Sequence, residues 1–322
     1  MNKNDIYKTF AVSDCGPVIK AKGLVLTFNS PNGELVGVGT SPEGLSFEVN
    51  KGEIFGIIGP DGAGKSTLFR ILCSLMLPQK GTANVAGYDV DKDYKKLRKV
   101  IGYMPGNFSL YSDLSVEENL KFFATIFDTT IEENYHLIKD IYSQIKPFKD
   151  RKAMSLSGGM KQKLALSCAL IHKPIVLFLD EPTTGIDPIS RVDLWNTLHK
   201  LSDNGVTIVV STPYMDEAAQ CDRIVFMQKG TFMVDAVAPQ ELAKKYPYPI
   251  YEIEGDDRLD ILEQISHLPN VVNSFAFGNT FHVTTEKGIT EDIIAEKMHD
   301  CKVKIIKPGL EDAFLLLSRS SE

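Results

Sequence analysis

Gly-Pro-Asp-Gly-Ala-Gly-Lys-Ser, residues 59–66, follows directly on the apolar run Ile54, Phe55, Gly56, Ile57, Ile58. A buried strand, a glycine-rich turn, a lysine and a hydroxyl in that order build a cradle for phosphate. The glycines let main-chain N–H groups turn inward, Lys65 puts a positive charge at the outer phosphates, and the Ser66 hydroxyl can reach a magnesium ion. Thr67, Leu68, Phe69, Arg70, Ile71 and Leu72 favour a helix whose positive end faces the anion. Gly59, Pro60, Asp61, Gly62, Ala63, Gly64, Lys65, Ser66 and Thr67 are the candidate phosphate site.

Two further signals lie downstream. The apolar stretch Ile175–Leu179 ends in Asp180 and Glu181. A strand of this kind delivers two carboxylates to the phosphate end of a sheet, Asp180 to hold magnesium and Glu181 to take a proton from an attacking water. Leu156-Ser157-Gly158-Gly159-Met160 precedes an apolar helix from Leu164 to Ile171; Ser157 stands 92 residues after Lys65 and 23 before Asp180. Serine and two glycines at a helix start make a second anion site.

In this order and spacing, residues 20–235 resemble the ATPase subunit of an ABC transporter. The resemblance implies a P-loop NTPase fold: an α/β core with a mostly parallel sheet, an antiparallel β subdomain and an inserted helical subdomain. It implies ATP and Mg2+ as ligands, with Lys65 and Glu181 as catalytic residues and Ser66 and Asp180 at the metal. It also implies a head-to-tail dimer in which ATP is held between the phosphate loop of one subunit and Ser157, Gly158 and Gly159 of the other. Asp187, in the run Asp180–Pro188, is the residue that contacts the opposite subunit in the family. The family places an aromatic residue against adenine; Phe28 is the candidate, and strand alternation equally allows it as a core residue. The partners implied are a second ATPase subunit and an integral-membrane permease, which puts the chain in the cytoplasm, peripheral to the inner face of the cell membrane. Phe108, Ser109, Leu110 and Tyr111 are the candidate docking groove for the permease. The tail Lys307–Leu315 is similar to that of drug- and polyketide-export ATPases.

The sequence departs from the family at two switch positions. After Ile101-Gly102-Tyr103-Met104-Pro105 the family has a glutamine that touches magnesium and water; here it is Gly106. After Val209-Val210-Ser211-Thr212 it has a histidine that contacts the γ-phosphate; here it is Pro213, which offers neither a side-chain donor nor an N–H. The expectation is tight nucleotide binding with slow hydrolysis, and a chain that is the degenerate half of a heterodimer. A homodimer in which Tyr214 or water substitutes is the alternative. A nucleotide-sensing regulator with little turnover and a non-transport ABC ATPase are the other two classes weighed.

Bulk composition sets the frame. With 35 Lys and Arg against 42 Asp and Glu, the net charge is −7 and no broad basic stripe appears, which disfavours nucleic acid as a partner. Five scattered cysteines show no metal-ligand spacing and fit a reducing compartment. No run approaches the roughly 20 apolar residues of a membrane span. Residues 1–20 read as an N-terminal extension and 21–240 as the nucleotide-binding domain, with its helical subdomain at about 107–172. Within that subdomain, Ser115–Glu118 and Thr130–Glu133 have capping-box spacing. Tyr246-Pro247-Tyr248-Pro249 reads as a linker. The order strand, helix, strand, strand, helix, strand over 249–322 predicts a small α+β domain of ferredoxin-like type.

Overall fold

A computed structural model describes residues 16–30, 35–107, 109–255, 258–268, 270–298 and 300–319. The chain divides into two compact units, Met1–Ala238 and Pro239–Glu322. The first opens with β1 (Ile19–Asn29), β2 (Leu35–Val38) and β3 (Leu45–Val49), then β4 (Ile54–Ile58), α1 (Lys65–Leu72), β5 (Lys80–Val85), β6 (Tyr88–Asp89), α2 (Tyr94–Leu97) and β7 (Ile101–Met104). β1 pairs antiparallel with β2, β3 and β5, so this part is the antiparallel subdomain. The turn-rich composition of Asn29–Gly44 hid β2. Its bonds come from β1, with Phe28 opposite Val36, and pairing of that kind overrides weak local propensity.

The helical insert follows as α3 (Val116–Ile126), α4 (Ile131–Ile145) and α5 (Gly158–Leu170). Ser115 and Thr130 each close a reciprocal capping box with Glu118 and Glu133. Ile138, Ile141 and Ile145 are buried along one face of α4. The chain then returns through β8 (Val176–Asp180), α6 (Pro188–Asp203), β9 (Thr207–Thr212), α7 (Met215–Ala218), β10 (Arg223–Gln228) and β11 (Thr231–Phe232). The core sheet runs β11-β10-β4-β9-β8-β7, parallel from β10 to β7. β4, which carries the phosphate loop, therefore has β10 on one side and β9 on the other. β4, β8 and β9 are buried on both faces, and Phe69 of α1 meets Phe178 of β8 edge to face at 5.7 Å.

His172, just past α5, anchors the insert to the core sheet. Its ring lies flat on Phe127 at 3.8 Å and its Nε2 is 2.8 Å from the Ile101 carbonyl oxygen. Burial lowers its pKa from 6.5 to about 4, against the opposing pull of the Ile101 bond. The unfolded chain therefore binds the proton first. Stability tied to the neutral ring is intact above about pH 6.5 and is lost as pH falls toward 4, about 3 kcal/mol in total. Urea midpoints followed across this range should fall less in His172→Phe than in the parent. Parallel profiles for the two proteins would refute the assignment.

The second unit comprises α8 (Pro239–Lys244), β12 (Ile250–Glu254), α9 (Arg258–Ser266), β13 (Val271–Phe277), β14 (Thr280–Thr285), α10 (Glu291–Ala295), β15 (Lys302–Ile306) and α11 (Leu310–Arg319). Its sheet order, β13-β14-β12-β15 with every pair antiparallel, is the ferredoxin-like arrangement read from the sequence. Tyr251, Ile253, Phe281 and Val283 pack with Ile261, Ile265 and Ile294. Two helices, α8 and α11, have no counterpart in that reading. Asp312 of α11 takes the Gly309 amide at 2.6 Å and the His282 Nδ1 at 2.8 Å. The Tyr246 hydroxyl lies 2.8 Å from Thr284 Oγ1, so the stretch read as a linker belongs to this unit's own packing. Among the described residues, no helix is long and apolar enough to cross a membrane.

Candidate functional site

The phosphate loop hangs from the centre of the core sheet. The Gly59 amide donates to the Thr212 carbonyl at 3.3 Å, and the Ala63 amide turns back to the Pro60 carbonyl at 3.2 Å. The first amide of α1 bonded within the helix is that of Leu68, to the Gly64 carbonyl, so those of Lys65, Ser66 and Thr67 precede the helical ladder. Gly64 has φ +105, and a Cβ there would stand 2.2 Å from the Gly37 carbonyl oxygen; the position admits glycine alone. Lys65 is 3% exposed, and its Nζ donates to the carbonyls of Gly59 at 2.8 Å and Pro60 at 3.0 Å, with Glu181 Oε1 3.4 Å away. A cavity of about 200 Å³ opens here, lined by the loop, Glu181, Phe28, Val36 and Gly37. Phe28 is 41% exposed at this cavity, so strand alternation does not bury it. Val36 and Gly37 were not legible as site residues, because β2 itself was not.

β8 and β9 end side by side, with Asp180 opposite Ser211. Asp180 is buried and accepts the Ser211 hydroxyl at 2.5 Å. The Glu181 amide donates to both the carbonyl and the hydroxyl of Ser211, each at 3.1 Å. Glu181 adopts φ +49, left-handed backbone that costs a non-glycine residue on the order of 1–3 kcal/mol and is held only by over-determined surroundings. Burial, and then Asp180, push the Tyr103 phenol up to about 12, so it is neutral beside this carboxylate. The donor set fits magnesium: a hydroxyl on Ser66 and a carboxylate on Asp180 are hard oxygens of the kind it selects.

Of the two departures, Gly106 falls against the residues that bear these carboxylates, and Pro213 stands at the root of the phosphate loop. A Cβ on Gly106 would stand 3.2 Å from the Asp180 carbonyl oxygen and 3.8 Å from Glu181 Cβ. Pro213 follows Thr212, whose carbonyl takes the Gly59 amide. Tyr214, the next residue, has its ring under the Arg191 guanidinium at 4.8 Å and does not line the phosphate cavity. Phe108 lies outside the described residues; Tyr111 is half exposed and packs edge to face on Phe122 at 4.7 Å.

Ser157 caps α5, taking the Met160 amide at 3.4 Å. Asp187 caps α6 through the Ser190 amide at 2.9 Å, a bond that holds its carboxyl below the usual range. Gly158 lies so close to Gly185 that a Cβ would meet its carbonyl oxygen at 2.6 Å. Ser157, Gly158 and Gly159, the signature segment, and the loop from Glu181 to Asp187 are thus in direct contact within one subunit.

Residues 42–184 match a family profile described as ABC transporter. The Nod factor export ATP-binding protein I of Paraburkholderia xenovorans (strain LB400) is 33% identical over 282 residues, 87% of this chain and 92% of that protein. The chain belongs to the ATP-binding subunits of ABC transporters. The probable multidrug ABC transporter ATP-binding protein YbhF of Escherichia coli (strain K12) is 38% identical over 278 residues, 84% of this chain; the chain spans about half of that relative, 48% of its length. Among solved structures, a dimeric ATP-binding cassette in a post-hydrolysis state, bound to ADP and Pi, is 25% identical with a TM-score of 0.59, over 66% of this chain and 96% of that one. The P-loop NTPase fold is common to this ABC subunit and that cassette.

Proposed function

We propose that this ABC subunit binds and hydrolyses ATP to drive a membrane exporter, and that its own site turns over slowly. The carrying observation is that phosphate loop, Asp180 and Glu181 converge at one end of the sheet, while Gly106, packed against Asp180 and Glu181, and Pro213, next to the residue that holds the Gly59 amide, offer no side-chain donors. The names of the multidrug and Nod factor relatives support export. The amides ahead of Leu68 cradle the phosphates, Lys65 sits at the outer ones, and Phe28 and Val36 stand at the adenine end. Ser66 and Asp180 would hold magnesium, which when bound neutralises phosphate charge. Glu181 takes the proton of the attacking water. The subunit pairs head to tail with a second ATPase, for which Ser157, Gly158 and Gly159 complete the opposite site and Asp187 faces the partner. A heterodimer is favoured, because the losses fall on residues acting in cis and the signature is retained. A permease keeps the pair at the inner face of the membrane, with Tyr111 in its docking groove.

In a reconstituted complex, Ser157→Arg should reduce transport more than Glu181→Gln. The reverse ranking would reject the asymmetric assignment. The sensor reading rests on the same two substitutions; an ATPase assay of the purified chain, with and without its companion, separates it from the first.

A further inference from the structure

The loop after Asp180 is fastened from outside by a carboxylate that the hydrolytic scheme leaves unused. Glu217, on α7, is 1% exposed. It accepts the hydroxyls of Thr183 and, at 2.6 Å, of Thr212, and Arg191 Nε stands 3.5 Å away. Arg191 also reaches Asp216 at 3.2 Å. Burial pushes the Glu217 carboxyl above its ordinary range, while the two hydroxyls and Arg191 pull it down.

Each partner sits at a telling place. Thr183 lies two residues after Glu181, the residue held at φ +49. Thr212 follows Ser211, which takes the Glu181 amide and donates to Asp180. Arg191 is one turn into α6, whose cap is Asp187. One buried carboxylate therefore ties together the segment bearing the base, the strand end that supports it and the helix that follows. The corner at 212–214 depends on this tie. Pro213 has no N–H to anchor it, and Thr212 Oγ1 both accepts the Tyr214 amide at 3.1 Å and donates to Glu217.

We propose that Glu217 is a positioning residue for ATP hydrolysis: by holding Thr183 and Thr212 together it keeps Glu181 in its left-handed conformation, aimed at the attacking water. The proposal rests on the reading of Glu181 as the base.

The test compares the full chain with Glu217→Ala, Glu217→Gln, Thr183→Val and Glu181→Gln. Single-turnover hydrolysis of γ-labelled ATP is read beside affinity for a fluorescent ATP analogue and beside the thermal midpoint. Glu217→Ala should slow hydrolysis about ten- to a hundredfold, the usual effect of losing an outer-shell support, while affinity changes less than about threefold. Glutamine can accept one hydroxyl and donate to the other, so Glu217→Gln should recover most of the rate. Thr183→Val should slow hydrolysis alone yet add nothing in the Glu217→Ala background, because both cut the same tie. If Glu217→Ala fails to fold, Thr183→Val and Glu217→Gln decide. An unchanged rate in folded Thr183→Val overturns the proposal, and so does a rate that falls in step with affinity. A parent that hydrolyses no faster than Glu181→Gln removes the base reading itself, whereas Glu217 variants at parental rate with an inactive Glu181→Gln sink this inference alone.

Discussion

The double variant Gly106→Gln, Pro213→His is expected to hydrolyse saturating ATP about 10²–10³-fold faster than the parent chain, with little change in nucleotide affinity. The magnitude is that of one positioned transition-state donor; the two substitutions touch one water and one phosphate, so their effects need not multiply. Gly106 has φ outside the left-handed region, and a Cβ there meets the Asp180 carbonyl at 3.2 Å, a contact that asks for a shift of a few tenths of an ångström. A glutamine at 106 therefore grows out beside the two carboxylates. Position 213 lies next to the residue whose carbonyl holds the Gly59 amide, at the root of the phosphate loop. Histidine there restores both a side-chain donor and an N–H. Steady-state phosphate release by the parent, both singles and the double decides the matter. A double variant that binds ATP normally and turns over at the parental rate would overturn the proposal that these two positions limit hydrolysis.

Lys65→Met should weaken ATP binding from about thirtyfold to several thousandfold. The estimate follows from the roughly 2–5 kcal/mol lost when one member of a buried, hydrogen-bonded charge pair is truncated. Methionine keeps most of the lysine stem, so α1 and its packing against β8 stay in place. What goes is the charge that stands 3.4 Å from Glu181 Oε1 and faces the phosphate cavity. The Glu181 carboxylate is then uncompensated at a site meant for an anion, which adds repulsion to lost attraction. Calorimetric titration with ATP and magnesium reads the effect. A loss of less than about fivefold, roughly 1 kcal/mol, would place the binding energy elsewhere.

The parts of this site that local chemistry dictates were legible in the residues alone. Strand, glycines, lysine and helix stand consecutively from Ile54 to Leu72, and each element demands the next. The capping boxes at Ser115 and Thr130 were equally readable, since both partners lie within four residues. Strands β12 to β15 could be ordered because each is flanked by turn residues or helix signals. What stayed hidden is what distant pairing creates. β2 exists because β1 offers it hydrogen bonds, so Val36 and Gly37 could not be placed at the cavity. Ser211 supports the Glu181 amide across 30 residues of sequence, and Glu217 reaches Thr183 across 34. No spacing rule predicts either contact. Helix α11 was passed over because its run Leu310–Leu317 was read for similarity rather than for periodicity.

The seat of the phosphate loop in the sheet carries a consequence of its own. β4 is bonded on both flanks, whereas β7, from which the helical insert departs, has β8 as its only neighbour among the described residues. The turn that borders the phosphate cavity is bolted to the middle of the scaffold, and the insert that carries Ser157, Gly158 and Gly159 is hung from its rim.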